Sequence, residues 1–343
     1  MVVLYFVASE PLPSNIKGGL IEMSLFKKQS ASGPLGGLLN RPRPSAWQQF
    51  WSQPCLHLAR KFYTSSWLPT IPAEPITDFV SIVCVSDTHN CQPELPDGDV
   101  LIHAGDLTQS GSLVELRATV SWLRAQPHAV KIAVAGNHDL FLDASLPRHK
   151  AVADRQPSPC SSTDAGDDKI LDWGDVIYLQ DAETIITCAN GRRLRVYGSP
   201  LSPRHGNWAF QYPRSKDIWG GQVPDDTDIL ITHGPPRGHL DLLALGCVHL
   251  IRELWRVRPR LHVFGHVHEG AGTEWLHFDA LQDSYERVAV FGGGIWRLVC
   301  VFVDFMLALF FRRPFEARCL LVNPAIVGGL RDDERRRPIR VTI

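Results

Sequence analysis

The sequence predicts an α/β fold, and three observations carry that expectation. Short runs at Val80 to Val85, Val100 to Ile102, Val130 to Val134, Asp228 to Thr232 and Leu261 to Phe264 are apolar and largely β-branched without alternation, as strands buried on both faces are. Helical periodicity separates them, through Leu113, Leu116, Val120 and Leu123 and again over Asp241 to Trp255. Each run ends on a loop bearing a carboxylate, an amide or an imidazole, as expected where functional groups gather at the carboxyl ends of parallel strands.

Composition narrows the partners. With 35 Lys+Arg against 36 Asp+Glu, the net charge of -1 supplies no basic track for a phosphate backbone, so no nucleic-acid partner is expected. The 8 cysteines are scattered without a Cys-x-x-Cys pair, which indicates neither a disulfide framework nor a thiolate zinc site. No Asn-x-Ser/Thr acceptor occurs, which fits an intracellular, cytoplasmic chain.

Residues 1–75 read as a poorly structured basic extension and linker. No acidic residue occurs from Ser24 to Ala73, and Pro69 to Pro75 is Pro-rich. The composition resembles an organelle-targeting segment, a reading that Glu10 and Glu22 weaken in favour of a flexible extension. Trp47, Phe50 and Trp51 fall at helical spacing within it, a stripe suited to a patch docked on the main domain.

The domain proper is expected over 76–343. It carries a polar insertion at 143–175 and a hairpin turn at Asn190-Gly191 between shorter strands. The most apolar segment, 295–311, contains Arg297 and Asp304 and is shorter than the ~20 apolar residues of a membrane span. It reads as a buried or surface-docked helix, with peripheral membrane contact as the alternative. Leu320 to Val322 and Arg340 to Ile343 look like further strands, and Arg331 to Arg337 like a solvated turn.

The strand ends carry the chemistry. In order they present Asp87 and His89, Asp106, Asn137 and His138, His233, then His266 and His268. Oxygen and imidazole ligands without thiolate suit borderline divalent metals such as Mn, Fe or Zn. Seven ligands with one shared carboxylate can hold two cations, and a shared anion offsets the repulsion between cations ~3.5–4 Å apart. Asp106, central in the motif order, is the natural bridge. Gly105, Gly136, Gly234 and Gly265 accompany these positions and permit close backbone approach.

The array Asp87-x-His89, Gly105-Asp106, Gly136-Asn137-His138-Asp139, His233 and Gly265-His266-Val267-His268 resembles the calcineurin-like metallophosphoesterase superfamily over about Val80 to Gly270. The loop Tyr197 to Phe210 and the run Thr232 to Asp241 resemble its metallophosphoesterase-domain branch, related to class III cyclic-nucleotide phosphodiesterases. The resemblance implies two mixed β-sheets packed as a sandwich with helices outside. It implies one metal on Asp87, His89, Asp106 and His268, and a second on Asp106, Asn137, His233 and His266. It implies His138 as donor to the leaving oxygen with Asp139 orienting it, and attack on phosphorus by a metal-bridging hydroxide. The neutral Asn137 would leave its metal more electrophilic than a carboxylate would.

The function expected is therefore binuclear metal-dependent hydrolysis of a phosphodiester or small phosphate ester. The alternative is a weakly active or non-catalytic metal-binding scaffold held at a membrane or protein partner. Asn90, His205 and His239 are further candidates for substrate contact, while His103 and His262, inside apolar strands, read as core histidines. Trp208 and Phe210 could stack on a substrate ring, but in a Pro-rich loop they read first as packing against a sheet edge.

Overall fold

Unbroken runs such as Ser-Ile-Val-Cys-Val fold as strands because β-branched side chains pack on both faces of a pleated sheet and leave no solvated side. The computed structural model describes residues 46–65, 78–146, 171–242, 245–310, 317–329 and 333–343. The extension before residue 46, the linker at 66–77 and the middle of the polar insertion at 147–170 lie outside the described residues.

Within the sequence assigned to a poorly structured extension, two helices are present: α1 (Ala46–Ser52) and α2 (Pro54–Ser65). The reason is packing, since Ala59 and Tyr63 of α2 are buried against later helices. The first half of the domain then alternates β1 (Ser81–Val85), β2 (Val100–Ala104), α3 (Leu113–Arg124), β3 (Val130–Val134) and β4 (Val176–Tyr178). Ser112 and Glu115 close a reciprocal capping box at the start of α3. The second half opens with a hairpin of β5 (Ala182–Thr187) and β6 (Arg193–Ser199), followed by the short pair β7 (Ser202–Pro203) and β8 (Gln211–Tyr212).

Next come β9 (Ile229–Thr232), α4 (Val248–Val257), β10 (Leu261–Val263) and β11 (Gly272–His277). Helix α4 begins seven residues later than the periodicity from Asp241 predicts. Asp241 instead accepts from the Gly246 amide at 2.8 Å, closing a turn, and Leu242 is left-handed. Helices α5 (Ala280–Ala289) and α6 (Ile295–Phe310) follow, then β12 (Arg318–Asn323), β13 (Val327–Gly328), β14 (Glu334–Arg335) and β15 (Ile339–Thr342).

Eleven of the strands form two mixed sheets, ordered β15-β1-β2-β3-β4 and β11-β12-β10-β9-β6-β5, while β7 with β8 and β13 with β14 pair separately. β1 to β4 run parallel, with β15 antiparallel at the edge. Ile82, Cys84, Ile102, Ala104, Ile132 and Val134 of the first sheet meet Val196, Ile229, Ile231, Val263 and Val322 of the second. The alternate residues Val83, Leu101 and Ala133 face α3, while Leu230, Phe264 and Leu321 face α4. Full burial of such side chains contributes roughly 1.5–3 kcal/mol each. The architecture is thus a two-sheet sandwich flanked by helices.

Register sets the site. Val85 lies opposite His103 and Ala104 opposite Val134, so the loops after β1, β2 and β3 leave at one level. In the second sheet Ser199 lies opposite Thr232 and Ile231 opposite Val263, which levels the loops after β9 and β10.

β11 and β12 pair antiparallel as direct neighbours, yet the chain between them makes an excursion through α5 and α6. Leu281, Tyr285 and Val288 of α5, Val301 of α6 and Ala59 and Tyr63 of α2 form their own core. Tyr63 stacks on Tyr285 at 4.3 Å between ring centroids. No helix among the described residues is long and apolar enough to cross a membrane.

Candidate metal centre

Five loops from the two sheets converge. Among the described residues, Asp87, His89, Asp106 and His268 bring one ligand atom each to within 4.8 Å of one another. His268 Nε2 lies 3.3 Å from Asp87 Oδ1 and 3.3 Å from His89 Nε2, and His89 Nε2 lies 3.8 Å from Asp106 Oδ2. A second group adjoins it. His233 Nε2 is 3.4 Å from Asp106 Oδ2 and 3.0 Å from Asn137 Oδ1, and His266 Nδ1 is 2.7 Å from Asn137 Oδ1. The oxygen Oδ2 of Asp106 faces both groups, and all seven residues named as ligands from the sequence are gathered here.

The backbone is strained to achieve this. Asp87, His89, Asp106 and His266 all adopt positive φ, between 45° and 69°, a conformation that costs a non-glycine residue of order 1 kcal/mol or more. Two glycines are required by close approach. A Cβ on Gly265 would sit 2.2 Å from Asp87 Oδ2, and one on Gly136 would sit 2.3 Å from Asp106 Oδ1.

The electrostatics suit cations. Burial opposes charge on Asp87 and Asp106, but His268 on the first and His233 on the second hold both carboxyls below their ordinary range. Burial likewise opposes charge on His233, yet Asp106 raises it to about 9, while burial and the nearby His233 push His266 down to about 3. Burial also lowers His89, so the neutral imidazoles of His89 and His266 and the carboxylates of Asp87 and Asp106 converge on one small volume. That donor set, oxygen and imidazole without thiolate, fits divalent cations.

His138 stands beside the ligands. Its backbone amide donates to Asp106 Oδ1 at 2.8 Å, and its ring Nδ1 lies 2.8 Å from the Gln109 carbonyl. Its ring meets His89 edge-on at 4.6 Å and stacks on Trp208 at 4.4 Å. Ala209 N donates to the Asn137 carbonyl at 3.1 Å, pinning the aromatic loop at this place. Trp208 therefore packs on His138 and not on a sheet edge.

Other candidates take different places. Asp139 does not orient the His138 ring. Its carboxylate accepts from Leu107 N, Thr108 N, Thr108 Oγ1 and Gly136 N, lacing together the loops after β2 and β3. Burial and the Asp106 charge push its carboxyl up to about 6 against these donors. Asn90 donates its side-chain amide to Glu115 Oε1 at 2.8 Å, turning toward α3. His239 is buried away from the ligands, its two nitrogens 3.0 Å from Glu274 and 3.3 Å from Glu286, because the chain folds it under α5. His205 is at the centre, its ring 4.7 Å from that of His266.

Beneath the ligands lie His103, bonded to Thr88 Oγ1 at 2.9 Å, and His262, bonded to Thr232 Oγ1 at 2.8 Å, as core histidines should be. Arg336 is hidden in the sequence by the charge run around it. Its guanidinium donates to the His268 carbonyl at 2.6 Å and bridges to Glu269 at 3.6 Å, holding the last ligand loop. A cation serving a backbone carbonyl leaves no pattern in sequence.

The family model described as calcineurin-like phosphoesterase matches residues 80–270, over half of the chain, and the chain belongs to that family. It is 40% identical over 209 residues to Metallophosphoesterase domain-containing protein 1 of Homo sapiens, covering 57% of this chain and 62% of that one. It is 43% identical over 315 residues to a protein of Emericella nidulans named "Probable rhamnogalacturonate lyase C", covering 90% of this chain but 29% of that protein. A UPF0046 protein of Caenorhabditis elegans is 37% identical over 205 residues, covering 57% of this chain and 66% of that one. The chain thus spans less than two thirds of the lengths of the fungal and human relatives.

Proposed function

We propose that the chain is a two-metal phosphoesterase that hydrolyses a phosphodiester or a small phosphate ester, in preference to a phosphoprotein. The observation that carries this reading is Asp106 Oδ2, which faces His89 Nε2 at 3.8 Å and His233 Nε2 at 3.4 Å and so belongs to two ligand sets at once. Asp87, His89, Asp106 and His268 would hold one cation, and Asp106, Asn137, His233 and His266 the other. Cations of the Mn, Fe or Zn type held there would lower the pKa of a bound water and neutralise charge on the phosphoryl oxygens.

The chain's own residues then orient and donate. Hydrolysis joins the oxygen of water to phosphorus and breaks the bond to the leaving oxygen, which needs a proton. His138 supplies it. The Gln109 carbonyl accepts from Nδ1–H, which fixes the ring and reserves Nε2 for the leaving oxygen. Trp208 backs the His138 ring and offers a flat face for an aryl or nucleoside leaving group. Asp139 keeps the two loops in place through the amides of residues 107, 108 and 136.

The test is hydrolysis of an aryl phosphodiester with Mn²⁺ supplied. Asp106→Ala and His233→Ala are expected to lower kcat by at least about a thousandfold, since each removes several kcal/mol of transition-state stabilisation. Full activity in either variant, with metal content unchanged, contradicts the proposal.

A further inference from the structure

We propose that the outer face of α6 is a docking surface for an anionic lipid bilayer, along which this helix lies without crossing it. The inference is independent of the catalytic reading. Helix α6 has the sequence Ile-Trp-Arg-Leu-Val-Cys-Val-Phe-Val-Asp-Phe-Met-Leu-Ala-Leu-Phe, apolar around nearly its whole circumference. A helix of that kind is normally covered on every side. Here only one side is covered: Val301 is buried, and Leu298, Phe305 and Ala308 pack on α2 and α5. The opposite side exposes Trp296 (81%), Val299, Phe302, Val303 (47%), Leu307 and Phe310, a continuous patch of the kind that marks an interaction surface.

The dimensions and chemistry favour lipid. The 16 residues make a rod of about 24 Å, short of a span but long enough to lie in the headgroup boundary with one face sunk about 5–10 Å. No exposed position in that set carries a hydrogen-bonding group except the indole of Trp296, and indoles favour the membrane–water boundary.

Charge distinguishes the occupant. Neither α1 nor α2 contains an acidic residue, and α2 exposes Arg60 and Lys61 next to Phe62, whose ring meets Phe302 and Phe305 of α6. A basic flank beside an apolar face complements anionic headgroups. A second copy seated on the same face would bring that basic flank against itself.

The test is cosedimentation of the full chain with vesicles of phosphatidylcholine alone and of phosphatidylcholine with phosphatidylserine. The chain is expected to pellet with the anionic vesicles more tightly than with the neutral ones. Arg60→Ala with Lys61→Ala should weaken anionic binding roughly thirtyfold, and Trp296→Glu with Val303→Glu should weaken it at least about tenfold. Helical content and the thermal unfolding midpoint serve as folding controls, since none of these side chains lies at the metal centre. Pelleting with neither vesicle, equal binding to both, or binding unchanged by the two glutamates overturns the proposal. So does a dimer in sedimentation velocity that the glutamates dissociate while vesicle binding is absent.

Discussion

Asp87, His89, Asp106 and His266 sit in left-handed backbone that their side chains do not favour, and Gly136 and Gly265 leave room for the carboxylates. Gly265→Ala should therefore displace Asp87, and the variant is expected to keep its fold by circular dichroism while binding metal at least about tenfold more weakly, since an outer contact of a metal site is commonly worth that much. His138→Ala makes a different demand. If His138 supplies the proton, the loss in kcat should grow as the leaving group becomes more basic, which a series of aryl phosphodiesters measures; a loss uniform across the series would remove it from that role. The seven residues gathered at the centre were legible in the sequence because each stands at the end of an apolar run beside a small residue or its own motif partner. Asp139, His239 and Arg336 were not, because their roles are fixed by amides, carboxylates and a carbonyl that only the folded chain brings to them.

Elements were legible to the extent that periodicity marks them. The core strands and α3 followed from apolar pattern and capping residues, whereas α2 was hidden in a segment whose composition reads as loop. What orders it is tertiary: Tyr63 donates to Gln282 Oε1, Gln282 donates to Glu286 at 2.7 Å, and Trp255 donates to the other Glu286 oxygen at 2.8 Å. His239 sits at the centre of this junction, facing Glu274 of β11 and Glu286 of α5. Burial opposes its charge, but the two glutamates raise it to about 10. The folded chain holds this proton more tightly than the unfolded chain, whose histidine titrates near 6.5. The stabilisation is complete below about pH 6.5 and is lost as pH rises toward about 10. Thermal melts across pH 6.5–10 should show a falling Tm in the parent chain and a flatter dependence in His239→Gln. Parallel curves would assign the pH dependence elsewhere.

Among the described residues, the two large sheets bring their loop ends to one place. Asp87, Asp106 and Asn137 come from the first sheet, and His233, His266 and His268 from the second. Alternating strands and helices announced an α/β domain, and the family resemblance split it into two sheets. The rhythm alone did not show that β11 and β12 are neighbours separated by α5 and α6, because antiparallel pairing across an excursion has no local signature. A centre that ties two sheets together should stabilise the fold when filled. At a free metal concentration about a hundredfold above Kd the gain is roughly 2.7 kcal/mol, so a chelator should lower Tm by about 5–10 °C in the parent chain and far less in Asp106→Ala. The most direct measurement of the central claim is elemental analysis of protein equilibrated with excess metal and then desalted. Two equivalents of divalent metal per chain in the parent, falling to one or none in Asp106→Ala, is the result predicted; a single equivalent in the parent, or two retained in the variant, would contradict a two-metal site that shares Asp106.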